Sequence, residues 1–243
     1  MREIFKICCI FVPHNQNNTM ENISAQICNS QRDLTINRIP LVEDPSIIPA
    51  SFVECGISYQ SLKCLNWANN YPYKPKVSFA IAHSGGSLYI HFRVKEQSVR
   101  AAGTHDKDHV WEDSCVEFFC APKEGDTYIN LEANCIGNIY ACVGTDRHNR
   151  TFLTDECYNS IQRWTSLSGA ITPERREETE WELCLIIPSS VYGLDDFSGK
   201  VLRGNFYKCG DCLSTPHFLS WAPIGTPNPD FHCPEYFILL LFE

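Results

Sequence analysis

An all-β fold, an antiparallel β-sandwich of about ten strands with little helix, is what this sequence predicts. Three observations carry that reading. Short segments alternating apolar and polar recur from Leu34 to Phe242, Gly, Pro and Asn punctuate them, and hardly any segment repeats with helical period. With 243 residues and 44% in the hydrophobic class, the chain has enough apolar mass for one core of this kind.

Taken in order, residues 1–32 are rich in Asn, Gln and Ser and read as a leader or mobile arm, leaving 33–243 as a single domain. Leu34 to Val42 begins as a strand that Pro40 confines to an edge or a strand end. Val77, Phe79 and Ile81 alternate, Ser84-Gly85-Gly86 breaks the pattern, and Leu88, Ile90, Phe92 and Val94 alternate again, which is the signature of a hairpin. Cys115 to Ala121, Tyr128 to Cys135 and Ile139 to Val143 give three further arms, the last two joined at Gly137-Asn138. Trp181 to Ile187 is a dense apolar run stopped by Pro188, and Ser189 to Leu194 could make one helical turn. Leu202 to Cys209, Phe218 to Trp221 and Tyr236 to Phe242 complete the strands, and the continuous apolar stretch at the end predicts a central or buried position.

The charge balance narrows the partners. Twenty basic against 29 acidic side chains give a formal net charge of -9 with no Lys/Arg run, which argues against nucleic acid and anionic membrane surfaces. No apolar stretch is long enough to span a bilayer. Arg2 and Lys6 flank a short apolar patch that faintly resembles an export signal. A working signal would place the protein outside the cytoplasm, in the periplasm or medium, and otherwise the cytoplasm is expected. Of the 14 cysteines, Cys115, Cys120, Cys135, Cys142 and Cys184 sit inside strand-like runs and read as reduced, core-packed thiols.

Two segments depart from simple packing. In Asp108 to Phe119, strand geometry turns Glu117 to the same face as Cys115 and Phe119, opposite Val116 and Phe118. A solvated sheet face would account for that carboxylate equally well. In Ser220 to Phe237, four prolines and a glycine stiffen a loop presenting Asn228, Phe231 and His232. Aromatic rings with short amides suit a sugar, whose C–H face stacks while its hydroxyls hydrogen-bond. An ordinary loop anchored by Phe231 explains the same residues.

The stretch Trp111-Glu112-Asp113-Ser114-Cys115-Val116-Glu117-Phe118-Phe119, followed by Tyr128 to Glu132 and the closing Phe218-Leu219-Ser220-Trp221 to Phe237 segment, resembles carbohydrate-binding module family 9, a DOMON-like sandwich. The resemblance covers residues 34 to 243 and implies a stand-alone, non-catalytic bacterial domain that grips a mono- or oligosaccharide end between two aromatic rings, in support of glycan-degrading enzymes. By motif position it implies Trp111 and Phe231 as the rings, Glu96 and Glu117 as hydroxyl acceptors, Lys208 as a polar reader and Asn228 as the amide partner. Glu132 joins this set, although the family's pattern offers a basic group there. Phe231 also departs, standing where the pattern has Trp.

Other readings use other residues. Glu117 and Glu132 on neighbouring strands could form the carboxylate pair of a glycosidase. A drifted scaffold could dock a protein with the same aromatic loop. Cys209-Gly210-Asp211-Cys212 with His217, His232 and Cys233 offers an improvised zinc set, and the resemblance allows structural calcium, for which Asp106, Asp108, Asp195 and Asp196 supply hard oxygens. A haem sandwich would want an axial Met, and Met1 and Met20 both fall in the leader.

Overall fold

The computed structural model describes residues 33–243 apart from Lys123, Glu124 and Asp126, so the expected leader, with Met1 and Met20, lies outside the described residues. The hairpin read from the sequence is present as β3 (Lys76–His83) and β4 (Ser87–Glu96), in the register Val77↔Val94, Phe79↔Phe92 and Ile81↔Ile90. That register stacks the apolar alternation of both arms on one face, and Gly85 turns the chain at φ +91°, where a side chain would be strained.

Two sheets face one another. The smaller runs β10 (Gln162–Thr165), β12 (Thr179–Pro188), β4, β3 and β2 (Gln60–Ser61). The larger runs β1 (Asp33–Ile36), β15 (Ile238–Phe242), β13 (Val201–Cys209), β6 (Cys115–Pro122), β7 (Tyr128–Asn134), β8 (Ile139–Gly144) and β9 (Arg150–Phe152), with β14 (Phe218–Ser220) also paired to β13. A separate ribbon joins β5 (Val99–Ala101) and β11 (Ile171–Arg175). β15 is flanked on both sides, as its apolar run predicts, and pairs with β1 in parallel, whereas the other strand pairs are antiparallel.

Between the sheets, Phe206 of β13 stacks on Phe79 at 3.6 Å and on Phe118 at 4.6 Å, with Trp221 edge-on to Phe79. Each such ring removed from water stabilises the fold by about 1.5–3 kcal/mol. The smaller sheet is covered on its other face as well. There α1 (Ile48–Glu54) buries Ile48 and Phe52, one helical turn apart, against Ala80, Ala82, Cys184 and Ile186. This double cover is why Trp181 to Ile187 reads as a continuous apolar run: Leu183 and Leu185 face the core while Cys184 and Ile186 face α1. Cys115, Cys120, Cys135, Cys142 and Cys184 are buried free thiols, in keeping with the reduced state expected of them.

Several elements differ from expectation. β1 ends at Ile36 rather than Val42, because the chain crosses to the other sheet and Arg38 bridges His83. Ser189–Tyr192, by contrast, is the single helical turn expected there, in 3-10 form and closed by Gly193 at φ +67°. α1 was not anticipated because Pro45 and Pro49 punctuate its segment, yet both prolines stand where a starting helical turn needs no amide donor. β2, β5 and β9 have two or three residues each, too few to show a period, and α2 (Asp155–Ser160) is capped by Thr154, which accepts from the Cys157 amide at 3.4 Å. Among the described residues, no helix is long and apolar enough to cross a membrane.

Candidate functional site

The outer face of the larger sheet carries a second set of buried side chains, arranged by register into rows. One row runs Phe218, Cys209, Cys115 and Asn134 across β14, β13, β6 and β7. The next runs Tyr207, Glu117, Glu132 and Tyr140 across β13, β6, β7 and β8. Paired residues of an antiparallel ladder point the same way, so Glu117 and Glu132 stand side by side on this face. Above them opens a cleft of about 380 Å³.

Half-buried aromatic rings stand at the two ends of these rows. At the β14 end, Tyr71 meets Phe218 edge-on at 4.8 Å. At the β8 end, Trp111 meets Tyr140 edge-on at 4.9 Å and stacks on His109 at 4.4 Å. Phe231 lines the cleft too, but one face of its ring already rests on Tyr207, 4.3 Å away and nearly parallel, and the residue is 7% exposed.

The floor is charged and poorly provided with donors. Glu117 accepts the Cys209 thiol at 3.0 Å, and among the described residues no N–H or O–H group donates to it. Burial, and then the neighbouring Glu132 charge, hold its carboxyl well above the usual carboxylate range. Glu132 accepts from Asn130 Nδ2 at 2.9 Å and from Arg150 Nη1 at 3.4 Å, while its Oε2 is buried with no hydrogen-bond partner among the described residues. Burial raises its carboxyl to about 7 against the pull of Arg150, and raises Asp211 on the same cleft to about 6.

Arg150 comes from β9, and the close approach that carries it over the sheet requires Gly144. A Cβ there would come within 2.6 Å of the Arg150 backbone and side chain. Arg150 also reaches His232 Nε2 at 3.4 Å, and an arginine can only donate, so Nε2 accepts and Nδ1 carries the proton toward Tyr128 Oη at 2.8 Å. Burial, reinforced by Arg150 and Arg147, pushes His232 down to about 3 and keeps the ring neutral. At the rim, Arg147 pairs with Asp230 at 2.9 Å.

Of the residues singled out in the sequence, Trp111, Glu117, Glu132 and Phe231 meet at this cleft. The other three do not. Asn228 is exposed in the loop, where its carbonyl accepts from Thr226 Oγ1 at 2.9 Å. Glu96 and Lys208 form an ion pair of 3.0 Å with both side chains fully buried between the sheets. Trp181 Nε1 donates to Glu96 at 2.6 Å, and Lys208 Nζ donates to the Cys209 carbonyl and to His217 Nε2, each at 2.8 Å. With no surface to offer a ligand, these two cannot read hydroxyls as the motif positions implied. Alternation already contains the reason, since Glu96 follows Phe92 and Val94 on the inward face and Lys208 follows Phe206.

The residues that the sequence left unassigned here are Tyr71, Arg147 and Arg150. Arg150 sits on a strand of three residues, and only the charged turn Asp146 to Arg150 after Gly144 hinted at a returning arm.

The metal sets read from the sequence do not assemble. Cys212 is exposed while Cys209 is buried on the cleft floor, and His217 is committed to Lys208. Asp196 packs on Gly85 at one end of β4, while Asp106 binds Arg163 at 2.6 Å and Asp108 accepts loop amides near Gly103 toward the other, so the four aspartates offer no shared calcium cage.

Comparison with known proteins agrees with this architecture. The family model of carbohydrate-binding family 9 matches residues 46–242. A solved structure of a "putative carbohydrate-binding protein" from Bacteroides uniformis is 43% identical, covers 88% of this chain and 100% of its own, and superposes with a TM-score of 0.84. Two structures of a family 9 carbohydrate-binding module from Caldicellulosiruptor kristjanssonii, in complex with glucose and with cellotriose, share 10% identity and 87% of this chain, at TM-scores of 0.57 and 0.55, and cover 96% and 94% of their own chains. They share the fold. No curated protein matches the chain. The match over nearly the whole described domain makes this chain a member of carbohydrate-binding family 9.

Proposed function

We propose that the cleft on the outer face of the larger sheet binds the end of a carbohydrate chain reversibly, breaking no bond, in support of glycan-degrading enzymes. One observation carries the reading: within a family 9 domain, half-buried rings flank a cleft whose floor holds buried carboxyls short of donors. Sugar hydroxyls are donors, and the C–H faces of a pyranose suit rings. Trp111 stacks on one side and Tyr71 with Phe218 on the other, while Phe231, braced on Tyr207, forms the bed between them. Glu117 and Glu132 Oε2 accept hydrogen bonds from sugar hydroxyls and Arg150 donates, its charged bond being roughly twice as strong as a neutral one.

Hydrolysis by the Glu117/Glu132 pair is less well supported. A glycosidase sets its two carboxyls apart, one protonated and one ionised, and here burial raises both.

Calorimetric titration with a panel of mono- and oligosaccharides that includes glucose and cellotriose tests the proposal. Wild-type protein should bind at least one member saturably, and Trp111→Ala should lose that binding with its thermal melt unchanged. Absence of binding across the panel, or equal binding by the variant, would overturn it.

A further inference from the structure

We infer that Cys115, Cys209 and Glu117 form a site for a thiophilic divalent cation of the zinc type on the floor of the cleft. The inference goes beyond carbohydrate binding and does not depend on it.

Position comes first. Cys115 and Cys209 are directly paired across β6 and β13, and Glu117 is the next residue of β6 on the same face. One ligand atom from each lies within 4.8 Å of the other two, and the Cys209 sulfur is 3.0 Å from Glu117 Oε1. A tetrahedral zinc with bonds of about 2.0–2.3 Å separates its ligands by roughly 3.3–3.8 Å, so shifts of about 1 Å would seat the ion.

Hydrogen bonding gives the second argument. The Cys209 thiol has one proton, yet Glu117 Oε1 and the Trp111 carbonyl at 3.5 Å both face it. By contrast, Glu96 in the core has an indole N–H and an ammonium. A cation at the centre of the trio would engage the carboxylate and both sulfurs at once.

Chemistry selects the ion. Two thiolates with one carboxylate favour zinc over calcium or magnesium, which want oxygen alone. Binding would expel both thiol protons and the Glu117 carboxyl proton to solvent, and the resulting net single negative charge would lie in a cleft that holds Arg147 and Arg150 beside Glu132, Asp211 and Asp230. Cys115 is fully buried, whereas Glu117 and Cys209 line the cleft, so a fourth coordination position would open to water or to a ligand hydroxyl. The exposed Cys212 has no part in this trio, which makes the site distinct from the C-x-x-C spacing in the sequence.

The test uses full-length protein, kept reduced and stripped with a chelator, titrated with Co²⁺ and then with Zn²⁺. One cobalt per chain should bind, with thiolate-to-metal charge-transfer absorption and the strong visible bands of four-coordinate cobalt, and zinc should displace it. Cys115→Ser and Cys209→Ser should each weaken binding by about tenfold or more, as losing a ligand must cost at least what losing its support does, while Cys212→Ser should leave it unchanged. Glu117→Gln keeps both thiols and the local shape, so weakened binding with retained charge-transfer bands supports the site even if a buried serine variant fails to fold. Absence of the charge-transfer bands, or wild-type affinity in Cys209→Ser or Glu117→Gln, would overturn the inference. No sugar enters these readings, so a failed metal site and a failed carbohydrate cleft are told apart.

Discussion

Two groups of buried charged residues, one on each side of the larger sheet, make opposite use of burial. Between the sheets, Glu96 and Lys208 are completely enclosed, and the ammonium has three partners while the carboxylate has an indole and a cation. On the outer face, among the described residues, Glu117 has a thiol as its donor and one oxygen of Glu132 has none. Glu96 and Glu132 each face a cation and each keep one oxygen without a hydrogen bond among the described residues, so what separates the two groups is place: the core pair is sealed between the sheets, whereas the outer carboxyls stand at the wall of a cleft. Lys208 and Cys209 are adjacent in sequence and fall into different groups because a strand alternates its faces.

The sharpest way to break this contrast is at Lys208. Lys208→Met strands Glu96 in the core and should cost about 3–5 kcal/mol in denaturant melts, while adding Glu96→Gln should recover much of it. A small loss in the single variant would mean that the core pair is not closed as described. The cleft should respond in binding instead: Glu117→Gln changes the hydrogen-bonding group that faces the cleft and should weaken sugar titrations by about 0.5–1.5 kcal/mol while leaving the melt close to wild type.

Acidity offers a finer comparison. Glu132 titrates near 4.5 when unfolded and at about 7 in the fold, so the native state holds the extra proton between those values. Stability from this group is therefore complete below about pH 4.5 and declines as pH rises through 7, by on the order of 3 kcal/mol, and Glu132→Gln should flatten that slope in melts taken across the range. The smallest effect belongs to Asn228→Ala, which alters an exposed loop side chain and should shift stability by less than about 0.5 kcal/mol.

Much of the architecture was legible because it rests on period. The β3–β4 hairpin, β6 to β8 and the closing strand all declare themselves through apolar alternation and turn residues, and the facing of Glu117 with Cys115 follows from strand geometry alone. Of the residues singled out by motif position, Trp111 and Glu117 line the cleft, whereas Glu96 and Lys208 lie between the sheets, where alternation with Phe92, Val94 and Phe206 was the better guide. Tyr71, Arg147 and Arg150 gave little warning, since loops and a three-residue strand carry no period.

Composition and alternation by themselves determined an all-β domain, its principal strands and the shared face of Cys115, Glu117 and Phe119, because alternation of side chains is a local constraint written along the chain. Which strands become neighbours is a long-range matter, decided only when the core closes. Pairing β6 with β7 set Glu117 beside Glu132, pairing β13 with β6 set Cys209 beside Cys115, and the return of β9 over Gly144 brought Arg150 to the same floor. The cleft therefore belongs to the register of the sheet, and sites built that way are invisible to any reading that moves along one strand at a time.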